Sequence, residues 1–271
     1  MLRFILKVPV FGSILSVTMK TKNRIIIAVC VAIALIPIVV IVGVQRRLAA
    51  EYAKFRLVNT DPVNNEILAV WDKIVNFYLI RTETGWIAFD AGSDAKHIAR
   101  EFKALGIDPG EVDAVFLTHS DFDHVAGLSL FRNATVYLCA LEEPLATGKI
   151  NRMPFTKNKI AAAATYLSDG DAVSVDGRTV RIVSIPGHTP GSAAYLVEGK
   201  YLFTGDAFSI RDGKIQPQNE IFNMNTEASM ESVHRLTAFK EVKLVLTAHY
   251  GVSSRAAELF GEYESRPKKG K

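Results

Sequence analysis

Six consecutive positions, His119-Ser120-Asp121-Phe122-Asp123-His124, hold four side chains able to bind a metal, and this crowding constrains the fold more than any other feature of the chain. Two carboxylates and two imidazoles so close together repel or desolvate one another badly unless a cation joins them. Imidazole nitrogen and carboxylate oxygen are both good ligands for zinc or iron. The apolar run Ala114 to Leu117 just before the cluster reads as a buried strand. A strand that ends by releasing alternating His and Asp side chains into a short loop can aim several of them at one point. The same residues also suit a polar turn, with Asp123 capping a helix that begins at His124. The sequence further along decides between the two.

Four more donors each stand directly after a strand-like run. Trp86 to Phe89 leads into Asp90, and Val180 to Ile185 into Pro186-Gly187-His188. Tyr201 to Thr204 leads into Gly205-Asp206, and Leu244 to Thr247 into Ala248-His249. Strand, turn and donor, repeated at one end of a sheet, bring polar groups together on loops held by a rigid scaffold. Further strands are expected at Ile67–Trp71, Val75–Arg81, Thr135–Cys139, Ala172–Val175 and Ala193–Val197, with a hairpin turn at Asp176-Gly177. Ile98, Phe102 and Leu105 recur at helical spacing, which predicts a helix over Ala95–Leu105 closed by Gly106. Met224–Phe239 and Ala256–Tyr263 read as helices. Residues 141–168 lack periodicity and contain Pro144, Gly148 and Pro154; they read as an insertion with a helical part over Ile160–Tyr166. Strands in two runs, each followed by helices, predict an α/β layered domain.

The front of the chain is different. Ile25 to Val44 is twenty residues without a charge. As a helix it extends about 30 Å, the thickness of a bilayer's hydrocarbon core. Pro37 is tolerable in such a helix. A cleaved signal peptide has a shorter apolar core, and Arg46-Arg47 before Leu48-Ala49-Ala50 is a poor cleavage site. The expected organisation is therefore a cytoplasmic or interfacial segment 1–24, a transmembrane helix 25–44, a linker 45–60, a domain 61–265 and a basic tail 266–271. Met19 looks like a natural start just before the apolar run. The positive-inside rule leans toward a cytoplasmic amino terminus and a domain on the extracytoplasmic side. Cys30 lies in the apolar run and Cys139 is alone in the domain, so no intradomain disulfide is possible.

The net charge of +4 hides an uneven distribution. Residues 1–60 carry nine Lys or Arg against Glu51, and 266–271 carry four, which leaves 61–265 at −8. An acidic body excludes nucleic acid as the expected partner, because phosphates need a basic surface. The expected partners are a small-molecule substrate and a membrane.

These residues resemble the metallo-β-lactamase fold superfamily in its broad hydrolase sense. The resemblance covers roughly residues 57–251. Asn76-Phe77-Tyr78-Leu79-Ile80 and Asp90-Ala91-Gly92 resemble the family's opening strands, and His119 to Gly127 its His-x-His-x-Asp-His motif. His188, Asp206 and His249 fall where its later ligands fall. The resemblance implies a four-layer αββα sandwich and two metal ions, most simply Zn2+. His119 and His188 would serve the first metal, Asp123, His124 and His249 the second, and Asp206 would bridge them. Asp90 would orient a ligand. The implied activity is metal-dependent hydrolysis of a small ester, thioester, lactone or lactam, a metal-bound hydroxide attacking the carbonyl with Asp123 and Asp206 positioning it.

One departure from the family's pattern matters. Its second His is here Asp121, which gives a His-x-Asp-x-Asp-His variant and puts an oxygen where a nitrogen ligand stood. A harder, more anionic first site shifts preference toward iron or manganese. Flavodiiron proteins of the same superfamily carry a glutamate there and bind two irons. An iron redox enzyme acting on oxygen or sulfur species therefore stays open as a second reading, and a non-catalytic metal-binding domain tethered to a membrane as a third. Ala126 stands where a Gly is usual. His97 and His234, inside helical stretches, read as ordinary surface or interface residues.

Overall fold

In the computed structural model, residues 6–10, 13–17, 21–152 and 156–266 are described. Met19 and all of the expected basic tail except Arg266 lie outside them. The chain divides into two units, Met1–Lys54 and Phe55–Lys271.

In the first unit β1 (Leu6–Val10) pairs antiparallel with β2 (Ser13–Val17), and α1 runs from Thr21 to Tyr52 through Pro37. Residues 25–44 of α1 are all exposed. Among the described residues it is the one helix long and apolar enough to cross a membrane. It takes in the first half of the stretch expected as a linker at 45–60.

The second unit carries two facing sheets. The first is seven-stranded in the order β3 (Asp61–Pro62), β4 (Ile67–Asp72), β5 (Val75–Arg81), β6 (Trp86–Phe89), β7 (Val112–Leu117), β8 (Thr135–Cys139), β9 (Ala164–Leu167). The second is six-stranded: β10 (Ala172–Val175), β11 (Arg178–Ser184), β12 (Ala193–Val197), β13 (Tyr201–Gly205), then β16 (Leu244–Thr247) and β17 (Val252–Ser253). A separate hairpin, β14 (Ser209–Arg211) with β15 (Lys214–Gln216), lies between β13 and β16 in sequence.

Alternation along the strands builds the layers, because successive side chains of a strand point to opposite faces. Tyr78 and Ile80 of β5 and Phe116 of β7 face the second sheet and pack with Tyr195, Phe203 and Leu246. Phe89 and Phe203 stack across this gap with ring centroids 3.7 Å apart. The other face of the first sheet, Phe77, Leu79, Val115 and Leu117, meets Ile98 and Phe102 of α2 (Ala95–Leu105). The outer face of the second sheet, with Leu196, Leu202 and Val245, meets Val233 and Leu236 of α5 (Thr226–Leu236) and Leu259 and Phe260 of α6 (Ala256–Glu264). Helix, sheet, sheet, helix is the four-layer αββα sandwich the resemblance implies. Two one-turn helices complete it, α3 (Phe122–Val125) and α4 (Glu143–Ala146).

Two expectations need correction. Ile160–Tyr166 is not a helix: Ala164–Leu167 pairs parallel with β8 as the last strand of its sheet. Ala161 to Ala164 favour a helix by propensity, but Leu167 enters the inter-sheet core and the edge of β8 offers backbone partners, and tertiary pairing wins. His97 is not a surface residue. It is buried on α2, with Nδ1 3.0 Å from Oδ1 of the fully buried Asp72. His234, in contrast, is exposed.

Strand direction places the site. β6 runs parallel to β7, and β13 parallel to β16. β11 reaches β13 through two antiparallel pairings and so points the same way as β13. The residues that follow these strands are Asp90, the His119 loop, His188, Asp206 and His249.

Candidate metal centre

Three donor groups form at these strand ends: His119 with Asp121 and His188, His119 with His124 and Asp206, and Asp123 with His124 and His249. Within each group the ligand atoms lie within 4.8 Å of one another. All seven residues expected from the sequence are thus brought together. Asp121 takes the position before α3 where a capping residue stands, but its side chain makes no capping bond. Its carboxylate turns into the site instead, 3.2 Å from Nε2 of His188.

His124 and His249 are held from behind. His124 Nδ1 is 2.8 Å from Asp90 Oδ2, and His249 Nδ1 is 2.7 Å from the Ile74 carbonyl. Each contact fixes the ring so that Nε2 faces inward, as outer-shell acceptors do at metal sites. His124 Nε2 lies 3.5 Å and His249 Nε2 3.2 Å from Asp206 Oδ1, and His249 Nε2 is 3.6 Å from Asp123 Oδ2. Asp90 also accepts from the Thr118 backbone N–H at 2.7 Å and the Thr118 hydroxyl at 2.9 Å. Its backbone is left-handed, φ 66°, a costly conformation for a non-glycine residue and one that clusters at functional sites. At Gly205, beside Asp206, a Cβ would fall 2.4 Å from the Thr118 hydroxyl, so only glycine allows this approach.

The electrostatics ask for positive charge. Burial alone would lower His124, but the carboxylates of Asp90, Asp123 and Asp206 push it up to about 10. His249 is raised in the same way, against its burial, by Asp206 and Asp123. At His188 burial wins and lowers the imidazole. Burial would raise Asp206, yet His249, His124 and His188 hold it well below the usual carboxylate range. Nε2 of His119 and of His124 and Oδ1 of Asp206 are buried without a hydrogen-bond partner. Buried polar atoms are normally satisfied. Orphaned lone pairs from imidazole and carboxylate, aimed at one another's neighbourhood, fit a divalent cation.

Three residues that complete the centre are invisible to a reading of the sequence. Glu142 is fully buried beside α4. Its carboxylate accepts from Ser120 N–H at 3.0 Å, Ser120 hydroxyl at 2.6 Å, Thr189 hydroxyl at 2.6 Å and Gly191 N–H at 3.0 Å. It ties the His119 loop to the His188 loop. Arg152, from the unpatterned insertion, reaches Asp121 Oδ2 with Nε at 2.6 Å. Its Nη1 donates to the His188 carbonyl at 2.9 Å and its Nη2 to the Phe222 carbonyl at 2.6 Å, and Nη2 lies 3.0 Å from His188 Nε2. Asn158 donates to Asp121 Oδ1 at 2.5 Å. A lone Arg or Glu in an irregular segment has no sequence signature.

Residues 70–249 match the family described as the Metallo-beta-lactamase superfamily. The chain is 32% identical over 178 residues to a hydroxyacylglutathione hydrolase of Aeromonas hydrophila, covering 64% of this chain and 59% of that one, which is under two thirds of its length. It is 26% identical over 220 residues to an N-acyl homoserine lactonase of a Bacillus species, 69% of this chain and 85% of the relative. Among solved structures, a B3 metallo-beta-lactamase with an active site glutamic acid superposes with TM-score 0.60 at 18% identity, covering 82% of this chain and 91% of that one. A metallo-beta-lactamase family protein from Thermus thermophilus gives 0.57 at 19% identity, covering 75% and 80%. These two likenesses are likenesses of fold.

Proposed function

The chain belongs to the metallo-beta-lactamase superfamily, and on that premise we propose that it is a membrane-anchored, metal-dependent hydrolase of a small ester, thioester, lactone or lactam. The observation that carries this reading is the set of orphaned donor atoms, Nε2 of His119 and His124 with Oδ1 of Asp206, where the strand ends converge. Asp123, His124 and His249 with Asp206 would hold one cation. His119, Asp121 and His188 with Asp206 form the second donor set. Each set offers two imidazoles and two carboxylates, a donor mix that zinc accepts. A divalent ion bound there acts as a Lewis acid and lowers the pKa of water to about 7.

The residues of the chain supply the rest. Asp90 and the Ile74 carbonyl hold the imidazoles of His124 and His249 in the tautomer that presents Nε2. Asp123 Oδ2 and Asp206 Oδ1 both face His249 Nε2, and they are the acceptors that orient an attacking water. The relatives named as a hydroxyacylglutathione hydrolase and an N-acyl homoserine lactonase support acyl cleavage of a small molecule. The net charge of −8 over 61–265 argues for a small substrate over nucleic acid. The exposed apolar helix α1 supports a single-pass anchor, with the domain on the extracytoplasmic side by the positive-inside rule.

The test uses the full chain in detergent micelles, loaded with zinc, against thioesters, lactones and β-lactams. Turnover that a chelator abolishes and zinc restores is expected on at least one class. No chelator-sensitive turnover on any of them would sink the reading. Release of the chain from membranes by alkaline carbonate would sink the anchor.

A further inference from the structure

Arg152 stands at the first donor set, His119, Asp121 and His188, and uses the same atoms a metal would need. Resting on the metal-centre reading above, we propose that the Arg152 guanidinium and a metal ion at this first position exclude one another. The resting chain then holds one ion, at the Asp123–His124–His249 position, and Arg152 supplies the fixed positive charge on the opposite side of Asp206.

The argument begins with lone pairs. A neutral imidazole has a single nitrogen lone pair, and a guanidinium has five donors and no acceptor. Arg152 Nη2 lies 3.0 Å from His188 Nε2, so its N–H takes the pair that a metal would use. Asp121 is committed as well, with Oδ2 accepting from Arg152 Nε at 2.6 Å and Oδ1 from Asn158 at 2.5 Å. Of this trio only His119 keeps its Nε2 without a hydrogen-bond partner.

The guanidinium is also anchored independently of the donors. Its Nη1 and Nη2 donate to the carbonyls of His188 and Phe222, and the side chain is only 7% exposed. A metal arriving at the first position would therefore have to break the contacts to Asp121, His188 and Phe222 and would meet an unscreened like charge. The position across Asp206 differs. His124 Nε2 and Asp206 Oδ1 are without partners there, and the imidazoles are fixed from behind. The planar fork matters: its three nitrogens make four directed contacts, to Asp121 Oδ2, the His188 carbonyl and Nε2 and the Phe222 carbonyl, one more than the three N–H groups of a Lys ammonium could serve.

The experiment is a metal count. The full chain in detergent micelles is stripped with chelator, dialysed against zinc of stated free concentration, and read by elemental analysis and titration calorimetry. Wild type is expected to bind about one ion tightly, and R152A and R152Q about two, the second with at least about tenfold gain in affinity. Two ions of similar affinity in wild type would overturn the inference without any variant having to fold. So would variants that fold, by circular dichroism, and still bind one. A shift in stoichiometry without turnover would sink the hydrolase reading and leave this inference standing. Turnover by a wild-type chain holding two equal ions would do the reverse.

Discussion

His124 and His188 sit on either side of Asp206, each with Nε2 3.5 Å from one of its oxygens, and their rings are held in opposite ways. His124 is gripped at Nδ1 by Asp90 and leaves Nε2 without a partner. His188 has no partner at Nδ1, while Arg152 stands at Nε2. The first ring is prepared for a cation that comes from solution. The second is already served by a cation that belongs to the chain. The same residue type, placed after the same kind of strand, does different work because of what lies behind it.

Substitutions can break this contrast, and the largest effect is expected at the shared carboxylate. Asp206→Ala removes an acceptor from both sides, so bound metal should fall to a small fraction and turnover by more than about 100-fold. Retention of the wild-type metal content would mean that Asp206 does not join the two positions. Next comes the support of the prepared side. Asp90→Ala leaves His124 Nδ1 and Thr118 N–H without their acceptor, and zinc affinity by competition with a fluorescent chelator should drop about 10- to 100-fold. An unchanged affinity would assign Asp90 to folding alone.

Glu142→Ala tests the tie between the loops on the other side. It strands the buried N–H groups of Ser120 and Gly191, so urea unfolding should show a loss of about 2–4 kcal/mol. A loss under about 0.5 kcal/mol would show that the loops hold without it. The smallest effect is expected from Asp121→His. It removes the carboxylate that Arg152 Nε bonds and offers a nitrogen instead, so zinc should fill the first position a few-fold more readily. No change in zinc occupancy would show that Asp121 neither anchors Arg152 nor takes part in binding.

Much of the scaffold is legible because it depends on local pattern. Ile98, Phe102 and Leu105 announce α2, and Gly106 closes it at φ 70°. The apolar run in Val75–Arg81 gives a strand buried on both faces. The burial of His97 escapes a linear reading because its partner, Asp72, lies 25 residues away and only the packing of α2 on β4 brings them together. Ala164–Leu167 misleads because a helix and an edge strand differ there only in which neighbour supplies the hydrogen bonds.

Which residues stand ready as donors is already written in the linear chain. Each follows a strand, and strand placement is a matter of alternation and turns that local pattern records. What each donor faces depends on the packed fold. Arg152 meets Asp121 across 31 positions, His188 across 36 and Phe222 across 70. Glu142 joins loops 22 and 47 positions away. A charge in an irregular segment carries no period, so nothing local predicts where it ends. Packing selects its partner, since a buried charge must find one.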